Sequence, residues 1–310
     1  MPELVASGQT GAMEALASDY DLLRSQAVGV WLGRDVVSVS GPAAVAFLQG
    51  QCSQDVAQLA VGASTWSWVL QPQGKVEALV RITRLGDDRL VLDTDQGWGE
   101  ALAARLNRFK LRTKADIVAL DWKCLAVRGP GAAEVARGFP AADDVFLLDA
   151  DWPGLSGVDL VGAEVVAPPD LPLIDGATYE LARIEAGFPA MGRELTDKTI
   201  PAESGIIGRT VSFTKGCYTG QELVARIDSR GGNVPRHLRS MVLNGAAPAG
   251  ATVSVGGKAV GRLTSVAPRP GHGAVALAYV GRDVTPPADA EITWEDGATE
   301  GRIELLPLLS

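Results

Sequence analysis

The run Lys215-Gly216-Cys217-Tyr218-Thr219-Gly220-Gln221-Glu222 sets one thiol between two glycines, beside a lysine, with an amide and a carboxylate just beyond. Glycine lets a backbone turn through conformations closed to other residues and approach a ligand closely. A nearby ammonium favours the thiolate, the form that attacks electrophiles and binds metals. A lone cysteine is by default a small buried hydrophobe. Glycines on both sides and polar flanks make a reactive or ligand-facing Cys217 the stronger reading, with Lys215 its activating neighbour. Metal ligand, redox thiol and nucleophile all remain open as its role.

A second set of groups is acidic. Asp93 is expected at the end of a strand and Glu100 in the first turn of the following helix, where the helix dipole favours a carboxylate. Glu185 lies in a short helical segment. Between Arg226 and Arg239 the chain carries Arg226, Arg230, Arg236, Arg239 and His237 against the single acid Asp228. Directly after the cysteine run, that stretch suits an anionic ligand tail, with Arg226 and Arg236 as candidate contacts. His237 and His272 form no Ser-His-Asp set and have no metal spacing. Cys52, Cys124 and Cys217 are too far apart for a Cys-x-x-Cys site, and an odd count argues against a disulfide framework. The chain can offer an iron–sulfur cluster one ligand at most. No metal site is expected.

Composition narrows the classes. The 310 residues and 46% hydrophobic content support two domains with sizeable cores. A net charge of −9 weighs against a large nucleic-acid footprint, which needs cations to neutralise phosphates. No apolar stretch reaches the roughly 18 residues that span a bilayer. The acidic, Ala-rich start lacks a basic n-region followed by an apolar h-region. A soluble, cytoplasmic protein without membrane contact is expected.

The elements that must hold these groups read as α+β. Three strands are predicted over 64–70, 76–85 and 89–94, the middle one alternating Val76, Ala78, Val80 and Ile82 with Glu77, Arg81 and Thr83. Pro72-Gln73-Gly74 and Gly86-Asp87-Asp88 are turn signals that make an antiparallel meander. Trp98, Leu102, Leu106 and Phe109 mark a helix, and Ser40-Gly41-Pro42 begins an earlier one. Of Trp66 and Trp68, core packing is the default for both, with one of them a candidate to line a pocket. Residues 129–172 give weak signals. From His237 onward, short runs separated by Gly and Pro predict a small β-barrel.

The cysteine run resembles the signature of the YgfZ family, a branch of the superfamily that includes the glycine-cleavage aminomethyltransferase, GcvT. Further segments carry the resemblance in order: Phe47-Leu48-Gln49-Gly50-Gln51 with Asp55-Val56, Leu70-Gln71-Pro72-Gln73-Gly74-Lys75, Arg183-Ile184-Glu185-Ala186-Gly187, and Val260-Gly261-Arg262-Leu263-Thr264-Ser265. It implies a GcvT-like region over 1–234, in two subdomains with antiparallel sheets and helices. An aminomethyltransferase-type β-barrel over 235–310 follows, the two packing around a cleft. It also implies tetrahydrofolate as cofactor, with Glu185 at the pterin ring. In the aminomethyltransferase branch, an acidic residue seven positions after an asparagine orients the reacting nitrogen. Asp93 and Glu100 stand at those places, and both depart from that pattern. The resemblance therefore implies a folate-binding accessory factor that works with iron–sulfur client or assembly proteins and supports tRNA-modifying radical enzymes. A tetrahydrofolate-dependent one-carbon transferase is the alternative.

Overall fold

Alternating apolar residues and glycine-bearing turns build most of this chain into antiparallel sheet. The computed structural model describes residues 3–138 and 144–309. The described chain falls into two compact units, each discontinuous in sequence: 33–123 with 189–237, and 1–32 with 124–188 and 238–310.

The first of these is organised by a five-stranded sheet of β2 (Arg34–Ser40), β3 (Ser64–Leu70), β4 (Val76–Arg84), β5 (Arg89–Asp95) and β6 (Asp116–Leu120), in the order β3-β4-β5-β2-β6. The expected meander is there, with Trp66 paired to Arg81 and Arg81 to Asp93. One sheet face packs Val37, Val39, Val80, Ile82 and Leu92 against Phe47 and Leu48 of α2 (Ala44–Gln51) and Leu102 and Leu106 of α3 (Gly99–Lys110). α2 begins two residues after Pro42, and α3 follows the predicted Trp98–Phe109 stripe. Two short helices close the unit, α6 (Ile207–Thr210) and α7 (Gln221–Ser229).

The other unit begins with α1 (Glu3–Ser25), which seats Leu16 and Leu23 on one apolar stripe. Its four-stranded sheet contains β1 (Val28–Leu32), β7 (Lys123–Arg128), β8 (Val145–Asp149) and β9 (Gly157–Gly162), in the order β1-β7-β9-β8, with α4 (Ala132–Gly138) beside it. Among its described residues, the weakly patterned stretch 129–172 thus supplies one helix and two strands. α5 (Gly176–Glu185) starts at Asp175, whose carboxylate accepts from the N–H groups of Ala177 and Thr178. The C-terminal strands β10 (Arg236–Leu243), β11 (Thr252–Val255), β12 (Lys258–Pro268), β13 (Ala274–Gly281), β14 (Ala288–Trp294) and β15 (Gly297–Glu304) close into a barrel. Met241, Val253, Leu263, Ala278, Ile292 and Ile303 fill it. The expected α+β class with a C-terminal barrel is what the chain forms. Among the described residues, no helix is long and apolar enough to cross a membrane.

Candidate functional site

Two sequence segments converge on the cysteine loop within the unit 33–123 plus 189–237. Lys215 Nζ donates to the backbone carbonyls of Gln49, Cys52 and Gln54 at 2.7, 2.7 and 2.9 Å. An ammonium has three donors, so these carbonyls at and beyond the end of α2 engage all of them. Burial lowers the Lys215 pKa, and Cys52 and Asp55 partly offset the shift. Lys215 thus holds the loop to α2, where a cation suits carbonyls left without helical partners. Thr219 N–H adds a bond to Gly50 O at 3.1 Å. The receiving loop is itself braced by Gln49, whose amide accepts from Val56 and Ala57 N–H and donates to Asp55.

The Pro72-Gln73-Gly74 turn grips the loop's other end. Gly220 caps α7 at φ 83°, and a Cβ there would meet Gln71 O at 2.5 Å and Gly74 Cα at 3.2 Å. A Cβ on Gly74, at φ 81°, would in turn meet Leu223 Cβ at 2.5 Å and Gly220 O at 2.8 Å. Both glycines are required by backbone conformation and by close approach. Inside the loop, Tyr218 is buried and its N–H donates to Gln221 Oε1 at 3.0 Å. Cys217 stands exposed between these anchors, whereas Cys52 and Cys124 are buried. Burial pushes the Cys52 thiol up to about 12.

Asp93 is buried under two guanidiniums rather than offering a free carboxylate. Its oxygens accept from Arg34 Nε and Nη2 at 2.9 and 2.6 Å, and from Arg81 Nε and Nη2 at 2.9 and 3.2 Å. Arg34 also pairs with Asp95. The half-buried Trp66 ring lies 5.7 and 5.6 Å from the two guanidinium carbons, while Trp68 is a core residue. Asp93 ties β2, β4 and β5 together, two residues before β5 ends. Both oxygens are engaged by these guanidiniums, Arg81 buried and Arg34 largely so, and a ligand at Asp93 would have to displace one of them. Glu100 is exposed in the first turn of α3, as is Arg226 in the last turn of α7. Arg236 pairs with the buried Glu203 at 3.2 Å.

Glu185 belongs to the other unit and is fully buried at the end of α5. Tyr20 of α1 donates to its Oε2 at 2.6 Å, and Arg269 Nε lies 3.0 Å from its Oε1. Burial, then the bond to Glu185, raises the Tyr20 pKa to about 12. Oε1 has the ion pair without an aligned hydrogen bond. Two residues earlier, Arg183 donates to Phe188 O and to Ser265 Oγ of β12 at 2.7 Å. The Arg-x-Glu-Ala-Gly segment is thereby joined to the Val260–Ser265 strand. Nothing in the sequence singled out Tyr20 or Arg269, because their partnership with Glu185 spans 165 and 84 residues.

This architecture is a GcvT-like fold. The chain superposes on the glycine cleavage system aminomethyltransferase T from Bartonella henselae with a TM-score of 0.84, covering 94% of this chain and 89% of that one at 21% identity. Residues 32–167 match the GCVT N-terminal domain. The tRNA-modifying protein YgfZ of Edwardsiella ictaluri is 30% identical over 239 residues, 70% of this chain and 71% of that protein. The chain belongs to the YgfZ family. It is also 32% identical over 215 residues to the mitochondrial iron–sulfur cluster assembly factor IBA57 homolog of Mycosarcoma maydis, covering 64% of this chain and 53% of that one. An aminomethyltransferase of Thermus thermophilus is 28% identical over 300 residues, 82% of this chain and 79% of its own length.

Proposed function

We propose that this protein is a cytoplasmic, tetrahydrofolate-binding accessory factor for iron–sulfur cluster assembly or repair, supporting radical enzymes such as those that modify tRNA, with Cys217 as its working thiol. The observation that carries the reading is an exposed cysteine on a loop anchored at both ends, in a chain whose other cysteines are buried. One thiolate supplies one bond to a shared cluster, whose remaining ligands come from a client or assembly protein. Relatives named for tRNA modification and for iron–sulfur assembly support this direction.

Glu185 fits a folate. Its buried Oε1 keeps acceptor capacity beside Arg269, as an N–H of an amino-pyrimidine edge requires. Bound folate would supply a one-carbon carrier. The second reading, one-carbon transfer to or from it, is favoured by the aminomethyltransferase relative. Against it stands Asp93, whose carboxylate is taken by Arg34 and Arg81.

The test pairs a thiol and a carboxylate variant. Cys217→Ser should keep the melting temperature and folate affinity while failing to support iron–sulfur clients in cells. Glu185→Gln should weaken tetrahydrofolate by about 1–3 kcal/mol in calorimetry, as for a hydrogen bond to a charged group. Full complementation by Cys217→Ser would overturn the thiol's role. Turnover of tetrahydrofolate to its methylene or methyl form would favour the transferase.

A further inference from the structure

The end of α3 carries an outlier that the thiol and folate readings do not use. Leu111 has φ 48° and ψ −116°, and Thr113 N–H closes the turn onto Lys110 O at 2.9 Å. Those angles belong to the first central position of a type II′ turn, which glycine normally holds. A bulky residue there is strained, and strain at a surface position is a reason to look for function. The leucine gains nothing from packing in return, since it is 86% exposed, the most exposed large hydrophobic residue among those described.

Its surroundings are cationic. From 105 to 114 the chain reads Arg105, Arg108, Lys110, Arg112 and Lys114 without an acid, in a protein of net charge −9. Arg108, Arg112 and Lys114 are exposed and Lys110 partly so. Among the described residues, none of these four joins an ion pair, and the acid next along the chain is Asp116 at the start of β6. Arg105 is different: it is buried and bound to Glu77, Gln51 and Leu70 O, which fixes α3 beneath the turn.

We propose that this turn is a docking site for an acidic protein surface, with Leu111 inserting into an apolar pocket and Arg108, Arg112 and Lys114 meeting carboxylates around it. Charge complementarity requires an anionic partner. A bilayer is disfavoured because one exposed leucine buries too little to anchor the chain. Single-stranded nucleic acid is disfavoured because the ring beside the turn, Phe109, is half-buried and has one face covered by the Arg105 guanidinium at 3.6 Å. An apolar anchor ringed by charge is the usual form of a protein contact.

Zero-length carbodiimide coupling tests this, because it joins a lysine amine directly to a carboxylate. The full chain is treated in an extract of cells expressing it from its own gene, and the peptides joined to Lys110 or Lys114 are sequenced. The expected result is a discrete partner peptide coupled through Asp or Glu, with a yield that falls at least about tenfold in Leu111→Gly. That variant keeps both lysines and relieves the backbone, so its melting temperature should equal or exceed the parent's. Leu111→Ala repeats the comparison with the strain retained, and Arg108→Glu with Arg112→Glu should abolish coupling. No coupling, or coupling indifferent to Leu111, overturns the proposal. So does Leu111-dependent binding to phosphatidylglycerol vesicles or to a 20-nucleotide RNA.

Discussion

Three cysteines in one chain occupy opposite chemical settings, and burial separates them. A thiol with a pKa near 12, as at Cys52, carries on the order of one thiolate in 10⁴ to 10⁵ near neutral pH. Cys217 is exposed. Under native conditions at pH 7.5, iodoacetamide should therefore modify Cys217 at least about a hundredfold faster than Cys52 or Cys124, read by peptide mass spectrometry. Equal rates would mean that the loop is not held as described. The glycines that frame the thiol give a second residue-level outcome. Gly220→Ala forces a side chain into a left-handed position 2.5 Å from Gln71 O, and should cost about 1–3 kcal/mol in urea denaturation. Gly74→Ala should cost a similar amount. Because the two glycines face each other, the double variant should be non-additive by at least about 0.5 kcal/mol.

Elements in the 33–123 and 189–237 unit are held in register by buried ion pairs. Asp93 joins β5 to β2 and β4 through Arg34 and Arg81, and Arg81 is 1% exposed. Removing one partner of such a set strands an uncompensated charge. Asp93→Ala should then lose about 3–5 kcal/mol of stability by chemical denaturation. If Asp93 were a free ligand group instead, the variant would lose affinity with its stability intact. Lys215 acts at the same scale, tying the cysteine loop to the end of α2. Lys215→Met should destabilise the chain by about 1–3 kcal/mol, because three partly buried carbonyls lose their donor.

For the molecule as a whole, three groups with raised pKa values set an alkaline limit. Cys52 moves from an ordinary value of about 9 to about 12, and Tyr20 and Tyr218 from about 10 to about 12. Each is favoured in its neutral form by folding. Their contribution is fully present below the unfolded values and is lost as pH rises toward 12. The urea midpoint should begin to fall above about pH 9, and in Cys52→Ala the fall should start about one pH unit higher. Lys215, lowered by burial, works in the opposite sense, and without Cys52 to offset that shift its pKa is lowered further in the variant.

Local pattern was enough to determine the meander of β3, β4 and β5, the helix after Trp98, the barrel strands other than β10, and the cysteine run. Each of these is written in a period of two, a period of 3.6 or a glycine turn, all of which act over a few residues. The chain alone did not show α1 as a helix or the two strands between residues 145 and 162, where Ala, Gly, Pro and Asp blur the period. It could not express units built from discontinuous pieces. Only the tertiary structure decided what the charged residues do. Asp93 became the anion of two guanidiniums, Lys215 a clamp on three carbonyls, and Glu185 the partner of Tyr20 and Arg269. The physical reason is distance along the chain: ion pairs and hydrogen bonds form between groups tens to hundreds of residues apart, and a side chain's availability is fixed by what folding places within 3 Å of it.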